Sequence, residues 1–141
     1  MLSGNPDTFA IWCDAVDPWS TPDFANGCFG YFMGGGLIWS GRSTLGVDLS
    51  MLSRLHCMKN SVEDADLFHR SQQDAYRELC ARAFPSMDSD AADSDFNHLV
   101  SAESLSDDGN YVFLIEYAGL AKLIYGFQEN SSEIGEVILA R

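Results

Sequence analysis

In the stretch FAIWCDAVDPWS, Phe9, Ile11 and Cys13 alternate with Ala10, Trp12 and Asp14. A period of two, filled with aromatic and branched residues, predicts a first strand that ends before Asp17-Pro18 and leaves Trp19 on a turn. Pro22 and Asn26-Gly27 then signal a loop. The following run, CFGYFMGGGLIWSG, predicts a hairpin of two short strands joined through Gly34-Gly35-Gly36. Three glycines supply positive φ for a tight turn. No lysine follows them with Ser or Thr, so they do not form a phosphate loop.

From Asp48 the period lengthens, with Leu49, Leu52 and Leu55 recurring every third residue, which predicts a short helix closing near Asn60. Ser61 reads as the N-cap of a second, longer helix over 62–84, with Asp64 as the acidic member of a capping-box variant and Glu63 and Asp66 in the first turn. Its expected buried stripe is Ala65, Phe68, Ala75, Tyr76, Leu79, Cys80 and Ala83. Glu78 and Arg82 are placed to pair on the wet side, and Pro85 ends the helix.

Strand patterns return at YVFLIEY (111–117), LAKLIYGF (120–127) and EVILA (136–140), separated by Ala118-Gly119 and Gly135. Closely spaced strands predict an antiparallel meander. The expected class is therefore α+β: an antiparallel sheet, made from the N-terminal strand and hairpin plus the C-terminal meander, packed against two central helices in one domain over 1–141.

The length of 141 residues allows roughly 70% of the unfolded surface to be buried. No apolar run reaches the roughly 18 residues that span a bilayer, so no membrane partner is expected. Pro6 and Asp7 interrupt the N-terminus where a secretory signal would need its apolar region, which predicts cytoplasmic residence. Cys13, Cys28, Cys57 and Cys80 are widely spaced among strand-like and helix-like residues, as expected of reduced thiols in the core.

The formal charge of −13 changes the picture most. It argues against nucleic acid as a ligand, since binding phosphates draws on a basic stripe that this chain lacks, and it makes a basic protein the natural complement. The acid is also segregated. No Lys or Arg lies between Pro85 and Ala121, whereas over 42–84 six cations (Arg42, Arg54, Lys59, Arg70, Arg77, Arg82) balance six acids (Asp48, Glu63, Asp64, Asp66, Asp74, Glu78).

Signals for chemistry are weak. His56-Cys57, His69 and His98 lack the paired spacing of a zinc site, so no metal or other cofactor is expected. A Cys-His nucleophile pair needs only to meet in space, but four cysteines in hydrophobic settings read as packing residues. Asp88, Asp90, Asp93 and Asp95 echo the first half of a calcium loop without its sixth-position glycine or its final glutamate, and read instead as a solvated loop able to meet a partner. No catalytic residue is assigned.

Two constellations remain for partner binding. Trp12, Trp19, Phe24, Phe29, Tyr31, Phe32 and Trp39 crowd a segment without Lys or Arg. Most belong to the core, but Trp19, in its proline turn beside Asp14, Asp17 and Asp23, is the best candidate for an exposed anchor with an acidic rim. The second constellation is Asp88, Asp90, Asp93 and Asp95, with Asp107 and Asp108 in the turn before the meander.

GNPDTFAIWCDAVDPWS followed by NGCFGYFMGGGLI resembles the start of the immunity protein 42 family found beside bacterial polymorphic toxins. The residues that carry the likeness are Gly4, Pro6, Phe9, Ala10, Ile11, Trp19, Ser20, Asn26, Gly27 and Phe29, and SDDGNYVFLIEYAGLAKLIYG with EVIL is similar to the family's closing meander. Gly34-Gly35-Gly36 departs from the family's Asn-Gly-type turn. The resemblance implies a cytoplasmic antidote that binds and inactivates a cognate toxin domain and has no catalysis of its own. The readings that compete with it are an acidic adaptor or nucleic-acid mimic binding a basic partner, and a small metal-binding enzyme.

Overall fold

The computed structural model describes residues 1–86 and 93–140. Its chain divides into two compact units, Met1–Arg54 with Ser101–Asn110, and Leu55–Val100 with Tyr111–Arg141.

The first unit is built on a four-stranded antiparallel sheet of β1 (Leu2–Asn5), β2 (Phe9–Ala15), β3 (Asn26–Met33) and β4 (Gly36–Thr44), in that spatial order. The hairpin expected at the triple glycine is present. Its turn places Gly34 and Gly35 at φ 57° and 87°, a region that costs a side chain roughly 1 kcal/mol or more to enter. The register sets Phe9 opposite Met33, Ile11 opposite Tyr31 and Cys13 opposite Phe29, so these six residues share one face of the sheet. Helices α1 (Leu45–Ser53) and α5 (Glu103–Asp107) pack against β3 and β4. Leu52 and Leu105 are buried with Phe29, Tyr31 and Met33, each large side chain contributing roughly 1.5–3 kcal/mol.

The second unit carries a separate three-stranded antiparallel sheet, β5 (Asn110–Tyr117), β6 (Leu120–Phe127) and β7 (Gly135–Ala140). The expected meander is therefore present, although the strands among the described residues form two sheets and not one. Its core gathers Leu67, Phe68, Tyr76, Leu79, Cys80, Phe113, Ile115 and Ile124. One edge of β5 is occupied, because Val100 N–H donates to the Val112 carbonyl at 2.8 Å and Leu114 N–H to the His98 carbonyl at 2.8 Å. Unpaired strand edges invite further pairing, and here that edge is closed.

The central helices are shorter and more numerous than the periodicity predicts. The helix expected from Asp48 to Asn60 begins earlier, at Leu45, and breaks at Leu55, whose ψ of 145° leaves α2 (His56–Lys59) as a separate turn. The continuous helix expected over 62–84 is α3 (Ala65–His69) and α4 (Gln72–Ala83). Ser61 does not cap it. Val62 and Asp64 instead pair with β5 through Asp64 N–H to Glu116 O at 3.0 Å and Glu116 N–H to Val62 O at 3.1 Å, which holds this segment extended. Asp64 then caps α3 by accepting from Leu67 N–H, and Ser71 caps α4 by accepting from Asp74 N–H. The stripe is buried as expected except at Ala65, which lies exposed in the first turn of α3, while Leu67 is fully buried. The Glu78–Arg82 pair forms at 2.9 Å, and α4 stops one residue before Phe84-Pro85.

Candidate functional site

Asp14, Asp17 and Trp19 lie at one end of the four-stranded sheet. Asp14 lies one residue before the end of β2, and its carboxylate accepts from the Met1 amino group at 2.6 Å and from Trp12 Nε1 at 2.7 Å. The amino terminus, followed by the indole N–H, holds its pKa below the usual carboxylate value. Asp17 opens a single 3₁₀ turn, Asp17–Trp19, with Pro18 pre-set for the turn. Trp19 is 52% exposed. Its backbone is nevertheless fixed, since its N–H donates to Val16 O at 2.9 Å and its carbonyl accepts from Asn26 Nδ2 at 2.8 Å. A rigid backbone presenting a large ring to solvent is what an interface anchor requires.

The aromatic segment contains more outward surface than the alternation alone assigned to Trp19. Phe29 and Tyr31 are core residues, whereas Phe24 and Trp39 are more than half exposed. The register explains Trp39. Leu2 pairs with Trp12, Trp12 with Gly30, and Gly30 with Trp39, so these four form one row across the outer face of the sheet. Gly4, Ala10, Phe32 and Leu37 form the next row. Gly30 is required between the two tryptophans, because a Cβ there would stand 2.5 Å from the Ile38 carbonyl oxygen and 2.9 Å from Trp39 Cβ. The sequence shows the alternation of Leu37 and Trp39 with Ile38 and Ser40 but not its sense, which the burial of Ser40 opposite Phe29 decides.

Asp107 is exposed and Asp108 half-buried, at the end of α5. Asp107 lines a small recess together with Arg42, Asp48 and Glu103. At the recess floor the Asp48 carboxylate is buried, accepting from Ser104 N–H at 2.9 Å, from Ser104 Oγ at 2.6 Å and from Ser43 Oγ.

Of the aspartates expected on the acidic loop, Asp88 and Asp90 lie outside the described residues. Asp93 and Asp95 are exposed in the second unit, where Asp95 N–H donates to Arg82 O at 2.8 Å and its carboxylate accepts from Asn97 N–H. The structure thus brings Asp14, Asp17 and Trp19 together at one end of the first sheet, and places Asp107 and Asp108 on α5 of the same unit.

Among the described residues, no group of three or more His, Cys, Asp or Glu side chains is arranged to hold a metal ion. The four cysteines are free thiols, and burial pushes Cys57 and Cys80 up to about 11, which keeps both protonated and poorly nucleophilic at neutral pH. His56 is exposed, and His69 stacks edge-on against Tyr117 at 4.9 Å and Phe68 at 5.6 Å. No described helix is long and apolar enough to cross a membrane.

Comparison with known proteins gives this surface a context. No curated protein sequence matches the chain. The crystal structure of CdiI from Burkholderia dolosa AUO158 is similar to it, with 76% identity and a TM-score of 0.97 over 100% of this chain and 91% of that one. The family model described as Immunity protein 42 matches residues 1–141, across both units. The chain belongs to the Immunity protein 42 family.

Proposed function

We propose that this protein is a cytoplasmic, non-catalytic antidote that binds the toxin domain encoded with it and neutralises it by covering a basic surface. Family membership supports neutralisation of a toxin. The observation that carries the mode of binding is the acidic surplus of the first sheet and its turns: residues 1–44 hold Asp7, Asp14, Asp17 and Asp23, all exposed, against Arg42 alone among Lys and Arg. Many toxins that act on nucleic acid need basic clefts, and an acidic inhibitor approaches such a cleft faster than diffusion alone allows. The gain is roughly 10- to 1000-fold in on-rate at low salt. Trp19, with Asp14 and Asp17 beside it, supplies an anchor at the end of this surface, and Asp88, Asp90, Asp93, Asp95, Asp107 and Asp108 add to the attracting field.

Co-expression with the adjacent reading frame tests the proposal, followed by co-purification at about 0.1 and about 0.5 M salt, where screening shortens the reach of charge severalfold. A 1:1 complex that restores growth and weakens with salt is expected. Absence of both complex and rescue would overturn it.

A further inference from the structure

The rows across the first sheet point to where contact is made. Leu2, Trp12 and Trp39 line one row and Phe32 and Leu37 the next; Leu2 with Trp12, and Phe32 with Leu37, are cross-strand neighbours roughly 5 Å apart, while Trp12 and Trp39 flank Gly30. Single exposed hydrophobic residues are ordinary on a protein surface. A group of large apolar side chains drawn from all four strands onto one face is not, and such groups mark interaction sites. Leu2, Leu37 and Trp39 are each at least 41% exposed. The opposite face of this sheet is the one that carries Phe29, Tyr31 and Met33 into the core, against α1 and α5.

Resting on the neutralisation reading above, we propose that this outer face, centred on Trp39 and Trp12, is the surface on which the toxin docks, and that it takes an apolar ridge flanked by lysine or arginine. Three features fit that occupant. The Trp12 indole N–H is already bonded to Asp14, so covering its ring leaves no donor stranded. Gly30, Gly4 and Ala10 place no large side chain between the flanking ones, and Ala10 and Gly30 are themselves covered, so the face offered to a partner is formed by the large side chains. The turns at either end of the sheet carry Asp7 on one side and Asp17 and Asp23 on the other, all exposed, and the one Arg of the sheet, Arg42 on β4, is set among Asp48, Glu103 and Asp107. A second copy of the chain is the poorer occupant, because it would bring the same acid against this rim.

The test uses the full chain and the toxin domain encoded beside it, inactivated at its own catalytic site. Trp39→Ala and Leu37→Arg change exposed side chains on this face, and Ile138→Lys changes an exposed one on β7 as the control. Affinity should fall by about 30-fold or more for each of the first two, the scale of a lost anchor, and stay within about twofold for Ile138→Lys. Hydrogen exchange on the unaltered complex should slow in 10–14 and 28–40, a readout that needs no variant to fold. Wild-type binding with neither effect would overturn the docking face and leave neutralisation standing. A free chain that sediments as a dimer, and is made monomeric by Trp39→Ala, would assign the face to self-association instead. No complex at all would overturn both.

Discussion

Asp48 and Ser104, 56 residues apart in sequence, are joined twice: the buried carboxylate takes both the backbone N–H and the hydroxyl of Ser104. With Ser43 as a further donor, one side chain of α1 fastens the last turn of β4 and the first turn of α5. A buried carboxylate survives only when its oxygens are well supplied with donors, and removing it strands those donors in turn. Asp48→Ala should destabilise the protein by about 2–4 kcal/mol, and Ser104→Ala by about 1–2 kcal/mol. Urea unfolding monitored by tryptophan fluorescence measures both, and equal stability of Asp48→Ala and wild type would refute the role of this carboxylate.

The two-residue turn between β5 and β6 holds Ala118 at φ 50° and Gly119 at φ 77°. Positive φ at both central positions is the demand of a type I′ turn, which asparagine meets at its first position far better than alanine. Ala118→Asn should therefore raise stability by roughly 0.5–1 kcal/mol. A lower melting temperature for this variant would show that the alanine is held there by something other than turn geometry.

Burial raises the Cys57 and Cys80 thiols from about 9.0 to about 11. Between those values the unfolded thiols are ionised while the folded ones keep their protons, so the folded state binds more protons and loses stability as pH rises. Stability should be insensitive to these groups below pH 9 and decline between pH 9 and 11. Maleimide labelling of the native protein at neutral pH should reach Cys28, which is only partly buried, before the other three. Rapid labelling of Cys57 would contradict this account.

Changing Asp88, Asp90, Asp93 and Asp95 together to Asn removes four charges from a stretch without cations. Association with the toxin should slow severalfold at low ionic strength, and its dependence on salt should flatten, with dissociation little altered. Stopped-flow binding across a salt series separates the two rates. An unchanged salt slope would confine the electrostatic contribution to the first sheet.

Much of this fold could be read from the sequence where one local rule had no competitor. The strands read around Phe9, Cys28, Tyr111 and Leu120 follow alternation and glycine turns that the structure keeps, although β3 takes in Asn26 and Gly27, read as a loop, and β5 begins at Asn110. The reading failed where a distant partner decided the outcome. Ser61-x-x-Asp64 and Ser71-x-x-Asp74 carry the same capping signature, and only the second is used, because β5 claims the backbone of Val62 and Asp64. β1 was invisible, since Leu-Ser-Gly-Asn has no apolar face and is a strand only by pairing with β2. The acidic and exposed character of Asp14, Asp17 and Trp19 was legible from their turn. The outward row through Trp39 was not assigned, because the sense of alternation in β4 becomes fixed only when Ser40 is set opposite Phe29.

The first unit is discontinuous in sequence, closing only when residues 101–110 return to it. During synthesis, at roughly 5–20 residues per second, its sheet must wait several seconds after Asp48 is made before Ser104 arrives. Over that interval the nascent sheet has its strands but not its last helix, and the face bearing Phe29 and Tyr31 is incompletely covered. Translation of the proposed binding face and completion of the unit that holds that face rigid are thus separated by a built-in delay.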